Sequence, residues 1–247
     1  MFAGKSVSLV LPTYNEKDSI RQVIKNFEAL GVLDEIIVIN NNAKQGTSEE
    51  VAATGAREVI ETVQGYGAAI LRGFREAQGD LVVLCEPDGT FMEQDVFKLL
   101  EYSRDFDVVY GSRTMNDLIW EGANMGWFLR FGNWAVAKLM EVLFGSCSLS
   151  DVGCTYRLAN REVVGHVLAN CRISQNYFGP EMMIATIRGR FKNVQIPLNY
   201  RERVGVSSVT GDLFVAFKLG MKMIGLILAK RLAPPPVDCR PGGPRRN

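Results

Sequence analysis

The sequence predicts an α/β protein with a mostly parallel sheet and helices on both faces. Three observations carry that expectation. Short runs of branched and aliphatic residues, such as Val7 to Leu11 and Ile36 to Ile39, alternate with segments of helical spacing. The runs are apolar throughout, as strands covered on both sides are. Three of them end in polar loops: Thr13 to Glu16, Asn40 to Asn42, and Glu86 to Asp88. Parallel strands place their C-terminal ends on one sheet edge, so these loops are expected to face one crevice.

Val7 to Pro12 reads as the first strand. Ser19 to Leu30 carries apolar residues at Ile20, Val23, Ile24, Phe27 and Leu30, a helical spacing stopped by Gly31. Glu35 to Ile39 is the second strand. Ser48 to Thr54 is a short helix and Arg57 to Glu61 a short strand. Gly65-Tyr66-Gly67 opens a helix from Ala68 to Ala77. Asp80 to Leu84 is the fourth strand, Asp95 to Tyr102 a helix, and Asp107 to Tyr110 another strand. After a Gly/Asn-rich loop, Trp127 to Phe144 is a helix whose polar residues Arg130, Asn133, Lys138 and Glu141 form one narrow stripe. Asp151 to Arg157 is a compact loop or strand. Gly179 starts a helix to about Ile187, and Val194 to Tyr200 is a strand. His166, among apolar neighbours on a predicted helix, reads as a packing residue.

Leu213 to Leu228 is apolar except for Lys218 and Lys222, which share a face. Such a helix is short of the ~20 residues that span a bilayer. It suits either core packing or a membrane surface, where Lys230 and Arg231 add attraction to anionic lipid. Residues 1–232 are expected to form a single domain, and the Pro/Gly/Arg-rich residues 233–247 a disordered tail.

The chain has 247 residues, of which 47% are hydrophobic and 22% charged, a folding composition. Its net charge of +1 argues against nucleic acid as the main partner. The five cysteines are odd in number and lack metal-knuckle spacing, so reduced thiols in a cytosolic protein are expected. No signal peptide is expected in the first residues, because the apolar run from Val7 to Leu11 is too short for one.

Glu86 and Asp88 follow a strand and are one residue apart, so both can point to one spot. Two converging carboxylates suit Mg²⁺ or Mn²⁺, which in turn holds a diphosphate. Pro87-Asp88-Gly89 is equally the signature of a plain acidic turn. Asn40 to Asn42 can be a turn, since Asn tolerates the left-handed region. Gly65 and Gly67 either shape the start of a helix or let backbone N–H groups approach a phosphate.

Together, Pro12-Thr13-Tyr14-Asn15-Glu16, Gly65-Tyr66-Gly67, Glu86-Pro87-Asp88-Gly89, Gly111-Ser112-Arg113, Asp151-Val152-Gly153-Cys154-Thr155-Tyr156-Arg157 and Arg203-Val204-Gly205-Val206-Ser207 occur in the order seen in family 2 glycosyltransferases. The sequence resembles most the dolichol-phosphate (polyprenyl-phosphate) mannosyltransferase and glucosyltransferase branch, over about residues 5 to 230. The resemblance implies the glycosyltransferase A fold, a Rossmann-like sheet flanked by helices, with C-terminal amphipathic helices. It implies that Pro12, Thr13, Tyr14, Asn15 and Glu16 line a nucleoside pocket. Asn40 or Asn41 would touch base or ribose, Gly65 and Gly67 would lie beside the nucleotide sugar, and Glu86 and Asp88 would hold the metal. Arg113, Arg130, Arg157, Arg203 and Ser207 would serve the acceptor phosphate or the leaving diphosphate, and Asp151 would stand near the acceptor.

An inverting hexosyl transfer from a GDP- or UDP-sugar to a polyprenyl phosphate is what such enzymes do, and the residue types suit it. A cation stabilises the leaving diphosphate, and arginine forks suit phosphate. The sequence departs from the family in three places. Amides stand at Asn40 and Asn41 where relatives have aspartates, Glu86 replaces an aspartate, and Ser208 replaces a frequent lysine. No pair of spanning helices follows, so action on the cytosolic membrane face is expected to be peripheral or to involve a membrane-protein partner. A soluble or glycan acceptor, or a non-catalytic nucleotide-sugar-binding role, remains as an alternative.

Overall fold

The computed structural model describes residues 1–123, 126–205 and 213–238. The chain runs β1 (Val7–Thr13), α1 (Lys17–Glu28), β2 (Glu35–Asn40), α2 (Thr47–Ala52), β3 (Arg57–Ile60), α3 (Tyr66–Glu76), β4 (Leu81–Leu84), α4 (Val96–Tyr102), β5 (Val108–Ser112) and α5 (Trp127–Phe144). It continues with β6 (Arg157–Asn160), α6 (Arg161–Asn170), α7 (Phe178–Arg188), β7 (Asn193–Pro197) and α8 (Leu213–Leu232).

The strands form a seven-stranded sheet in the order β3-β2-β1-β4-β6-β5-β7. β1 pairs in parallel with β2 and β4, β2 with β3, and β5 with β7. β6 is antiparallel to both of its neighbours, with Arg157 opposite Leu84 on one side and Tyr110 on the other. The expected strand or loop from Asp151 to Arg157 is therefore mostly loop, and the strand begins where that segment ends.

Burial explains the uniformly apolar strands. Leu9, Leu11, Val38 and Val83 pack on one face with Ile20, Ile24 and Phe27 of α1 and Leu99 of α4. Val10, Ile37, Ile39, Val82 and Leu84 pack on the other with Ile70 and Phe74 of α3, Met182 of α7 and Ile227 of α8. The helix after β1 and the helix before β4 thus lie on opposite faces, which opens a crevice at the C-terminal ends of β1 and β4.

The predicted strand over 194–200 leaves the sheet after Pro197, and Tyr200 makes isolated bridges to Phe91 and Ile119. α8 runs four residues beyond its predicted end, to Leu232, and is tied down there. Lys230 pairs with the buried Glu181 at 2.8 Å, and Arg188 donates to Lys230 O and Ala233 O. Of the expected tail, residues 234–238 carry no helix or strand, yet Val237 exchanges two hydrogen bonds with Asn170. Residues 239–247 lie outside the described residues. Cys85, Cys147, Cys154 and Cys171 are free thiols. His166 is buried, with Nε2 3.0 Å from Ala185 O and its ring edge-on to Phe191. Among the described residues, no helix is long and apolar enough to cross a membrane.

Candidate active site

The crevice collects the ends of β1 and β4 and a strap, residues 199–205, laid across them. At the end of β1, Glu16 folds its carboxylate back over its own loop. Oε2 accepts from the backbone N–H of Tyr14 (2.7 Å) and Asn15 (2.9 Å) and from Thr13 Oγ1 (3.2 Å). Pro12 and Thr13 are buried below it, while Tyr14 and Asn15 face solvent. At the end of β4, Asp88 Oδ1 accepts from both the N–H and the hydroxyl of Thr90, at 2.9 and 2.6 Å. This turn geometry is what Pro-Asp-Gly-Thr favours locally. It leaves Oδ2 facing the strap.

The strap is stitched to the β4 loop: Arg201 N–H donates to Thr90 O and Val204 N–H to Asp88 O. Arg203 then spans two acids, with Nη1 2.9 Å from Asp88 Oδ2 and Nη2 2.8 Å from Glu16 Oε1. The Glu86 carboxyl has no hydrogen-bond partner among the described residues. Burial first, and then the charge of Asp88, push its carboxyl up to about 8, although Arg203 works the other way. The crevice thus holds three acids against one close arginine. Burial works against the charge on Arg203, but Asp88, Glu86 and Glu16 outweigh it and raise its pKa.

A second arginine–carboxylate pair lies at the end of β5. Asp151 is fully buried and accepts from Arg113 N–H, Nε and Nη2 and from the N–H of Gly153 and Cys154, between 2.8 and 3.1 Å. Burial opposes its charge, but Arg113 and these bonds win and hold the carboxyl below the usual range. With its lone pairs taken up, Asp151 is unsuited to accept a proton; it positions Arg113, whose guanidinium lies 5.3 Å over the Tyr200 ring. Nη2 of Arg113 and Oδ1 of Asn133 both lie close to Gly153. Arg130, one turn earlier on α5, shares the face of Asn133 and bonds Asn116.

Other predicted site residues are held elsewhere. Arg157, expected at the acceptor phosphate, is buried with its fork on the carbonyls of Cys154, Gly179 and Val152. It ties the loop over residues 151–156 to the start of α7. Asn40, expected at the base or ribose, donates to Ser48 and Glu58 and accepts from Ala43 N–H. Asn41 donates to Glu61 O and Val63 O and accepts from Gly65 N–H and Gln64. An aspartate would confront a carboxylate at position 40 and two carbonyl oxygens at position 41, so the amides have a structural reason. Gly65 and Gly67 are explained by packing: a Cβ at either would collide with Ser174 O or Ile173 O, and Gly65 has φ +141°. Ser207 lies outside the described residues.

Two polar groups escaped sequence reasoning. The Tyr66 hydroxyl and Thr155 Oγ1 are buried, with no hydrogen bond of normal geometry among the described residues, and both line a small cavity with Arg157 and Met223. The signal for Tyr66 is its place between two glycines at a helix start. Thr90 is the other residue that was overlooked, readable in retrospect as the turn partner of Asp88.

Among the described residues, no group of three or more His, Cys, Asp or Glu side chains is disposed to hold a metal alone. Glu86 and Asp88 nonetheless fit a Mg²⁺ or Mn²⁺ that takes its remaining oxygens from a diphosphate and water. They supply hard oxygen donors, one carboxyl unbonded and one oxygen bound only to a side chain, in a place with surplus negative charge.

The sequence model described as glycosyl transferase family 2 matches residues 8–168. The chain is 30% identical over 179 residues to undecaprenyl-phosphate 4-deoxy-4-formamido-L-arabinose transferase of Pseudomonas aeruginosa, covering 67% of this chain and 50% of that protein. It is 25% identical over 245 residues to the low-salt glycan biosynthesis hexosyltransferase Agl6 of Haloferax volcanii, covering 90% and 58%. The chain thus spans 50–58% of the length of these two relatives. Its structure resembles glucosyl-3-phosphoglycerate synthase from Mycobacterium tuberculosis, solved with Mn²⁺, UDP-glucose and phosphoglyceric acid. That likeness has a TM-score of 0.71 and 21% identity, and covers 94% of this chain and 81% of the other.

Proposed function

The chain belongs to glycosyl transferase family 2 and has the glycosyltransferase A fold, and from that premise we propose that it moves a hexose from a GDP- or UDP-sugar to a polyprenyl phosphate at the cytosolic face of a membrane. The observation that carries the reading is the surplus of buried acid at the end of β4. Glu16, Glu86 and Asp88 face Arg203, with Arg113 nearby. A crevice of that charge accepts a cation, and the cation in turn brings a diphosphate, which the acids alone would repel.

Asp88 and Glu86 would hold the Mg²⁺ or Mn²⁺. When bound, the cation supplies stabilisation of the charge that grows on the departing diphosphate. In the transfer, an oxygen of the acceptor phosphate bonds to the anomeric carbon as the bond from that carbon to the diphosphate oxygen breaks. The acceptor is already an anion, so it needs orientation and no general base. Arg113, fixed by Asp151, and Arg130 are the groups for that task. This suits the finding that Asp151 is locked in its ion pair.

The membrane surface is assigned from α5 and α8, which pack together. Trp127, Phe131 and Trp134 on α5 and Phe214, Phe217 and Met221 on α8 are all exposed, between 46% and 75%. Lys218 and Lys222 flank the α8 residues. Exposed Trp and Phe beside lysines suit an anionic lipid surface, and Trp127, Phe131 and Trp134 lie on the helix that carries Arg130.

Thermal unfolding with UDP- and GDP-sugars, in Mn²⁺, Mg²⁺ or EDTA, tests the donor side. A donor at about 100 times its Kd adds about 2.7 kcal/mol of stability. The shift is expected with one base only, to require the metal, and to vanish in Asp88→Ala. No shift with any donor overturns the metal–diphosphate reading. Glycolipid formation from polyprenyl phosphate tests the acceptor side. Turnover on a soluble acceptor without binding to anionic liposomes would replace it with the soluble alternative, and nucleotide-sugar binding without turnover would make the protein a non-catalytic binder.

A further inference from the structure

Arg203 stands where the charge must change when a donor binds. Asp88 Oδ1 is occupied by Thr90, so Oδ2 is the oxygen open to a cation, and Arg203 holds it at 2.9 Å. A guanidinium and a divalent cation cannot share that oxygen closely, because like charges at such range repel strongly in a buried site. The strap itself is fixed. Arg201 N–H to Thr90 O is 2.7 Å, Val204 N–H to Asp88 O is 3.0 Å, and Arg201 Nη2 reaches Phe91 O at 2.8 Å. The movable part is the Arg203 side chain, which is 22% exposed and has a buried Nε with no partner among the described residues.

We propose that Arg203 is an exchangeable internal counter-ion. In the donor-free protein its guanidinium bridges Asp88 and Glu16, a divalent cation reaching Asp88 displaces it, and the freed fork turns to the diphosphate that the cation carries. The inference rests on the metal–diphosphate reading above and goes beyond it, because it couples the two ligands. Metal alone costs Arg203 its Asp88 contact and leaves it only Glu16. Metal with a nucleoside diphosphate offers the arginine a new anion. The crevice therefore binds Mn²⁺ more weakly by itself than as the nucleotide complex, and stays partly neutralised when no donor is present.

The test is Mn²⁺ binding, read by electron paramagnetic resonance of the free ion, for wild type, Arg203→Gln, Arg203→Lys and Asp88→Asn. It is run without nucleotide and then with UDP or GDP. Thermal melts confirm that each variant is folded, and Arg203→Lys keeps the charge in case Arg203→Gln does not fold. Without nucleotide, Arg203→Gln is expected to bind Mn²⁺ about three- to tenfold more tightly than wild type, the size of a partly buried ion pair no longer broken on binding. Arg203→Lys, which cannot span both acids, should fall between, and Asp88→Asn should bind least. With nucleotide, wild type binds more tightly than Arg203→Gln, which loses most of the gain that wild type shows, and Asp88→Asn still binds least. If Arg203→Lys binds like wild type, only the field of the charge matters and the exchange is wrong. If Arg203→Gln binds no more tightly than wild type, the exchange is likewise overturned while the metal reading stands. If no protein binds Mn²⁺ even with nucleotide, the metal–diphosphate reading falls and the exchange falls with it.

Discussion

Two arginine–carboxylate clusters flank the crevice, and they differ in how their charges balance. Around Asp151 one acid meets one arginine, with further N–H donors closing the remaining lone pairs. Around Asp88 three acids crowd Arg203, which bonds Asp88 and Glu16, and the Glu86 carboxyl is left without a bond among the described residues. The matched cluster is a structural fixture that aims Arg113. The unmatched one is incomplete, and a bound cation would complete it. Perturbation should therefore damage stability at the first and ligand binding at the second.

The largest expected effect is on stability at the matched pair. Asp151→Asn leaves Arg113 buried without its counter-charge and should cost about 3–5 kcal/mol, measured by denaturant unfolding. Asp88→Asn removes one of three crowded acids and should cost far less in donor-free protein. Equal losses at the two positions would break the comparison.

A second test concerns the nucleoside side of the crevice. Asn41→Asp puts an anion against Glu61 O and Val63 O, and should destabilise by about 1–3 kcal/mol through the loss of two satisfied donors. Should Asn41→Asp leave the melting temperature unchanged and tighten nucleotide binding, position 41 faces the base after all.

The smallest effect concerns pH. The Glu86 carboxyl sits near 8 in the folded protein, against 4.5 in the unfolded chain. The folded state then holds the proton more tightly. The stabilisation from this group is fully present below about 4.5 and is lost as pH rises through 8. Metal-free wild type should therefore lose stability between pH 5 and pH 8. Glu86→Gln should flatten that slope and be more stable than wild type at pH 8 by about 1 kcal/mol, a modest figure for one buried charge removed. A slope unchanged in Glu86→Gln would show that the surplus charge is located elsewhere.

The parts of the fold set by local pattern were legible. Apolar runs, helical spacing and turn residues placed β1 to β5 and α1 to α5 within a few residues, because these signals act over short stretches. The antiparallel strand β6 was not legible, since Arg157-Leu158-Ala159-Asn160 is short and its direction depends on where the chain returns. The family motifs lie in loops at the ends of the strands and left the work of their side chains open. Asn40, Asn41, Gly65, Gly67 and Arg157 stand in those motifs, and in the structure they hold loops together.

By itself, the sequence determined a two-faced parallel sheet, three polar loops at its edge, and an apolar C-terminal helix carrying few charges. Those follow from periodicity and from which residues can be buried. Only the tertiary structure decided which acid meets which arginine. Arg203 pairs with Asp88 and with Glu16, 187 residues away along the chain, while Arg113 goes to Asp151. Ion pairs are chosen by proximity and desolvation in the folded protein, and no local pattern of residues encodes either.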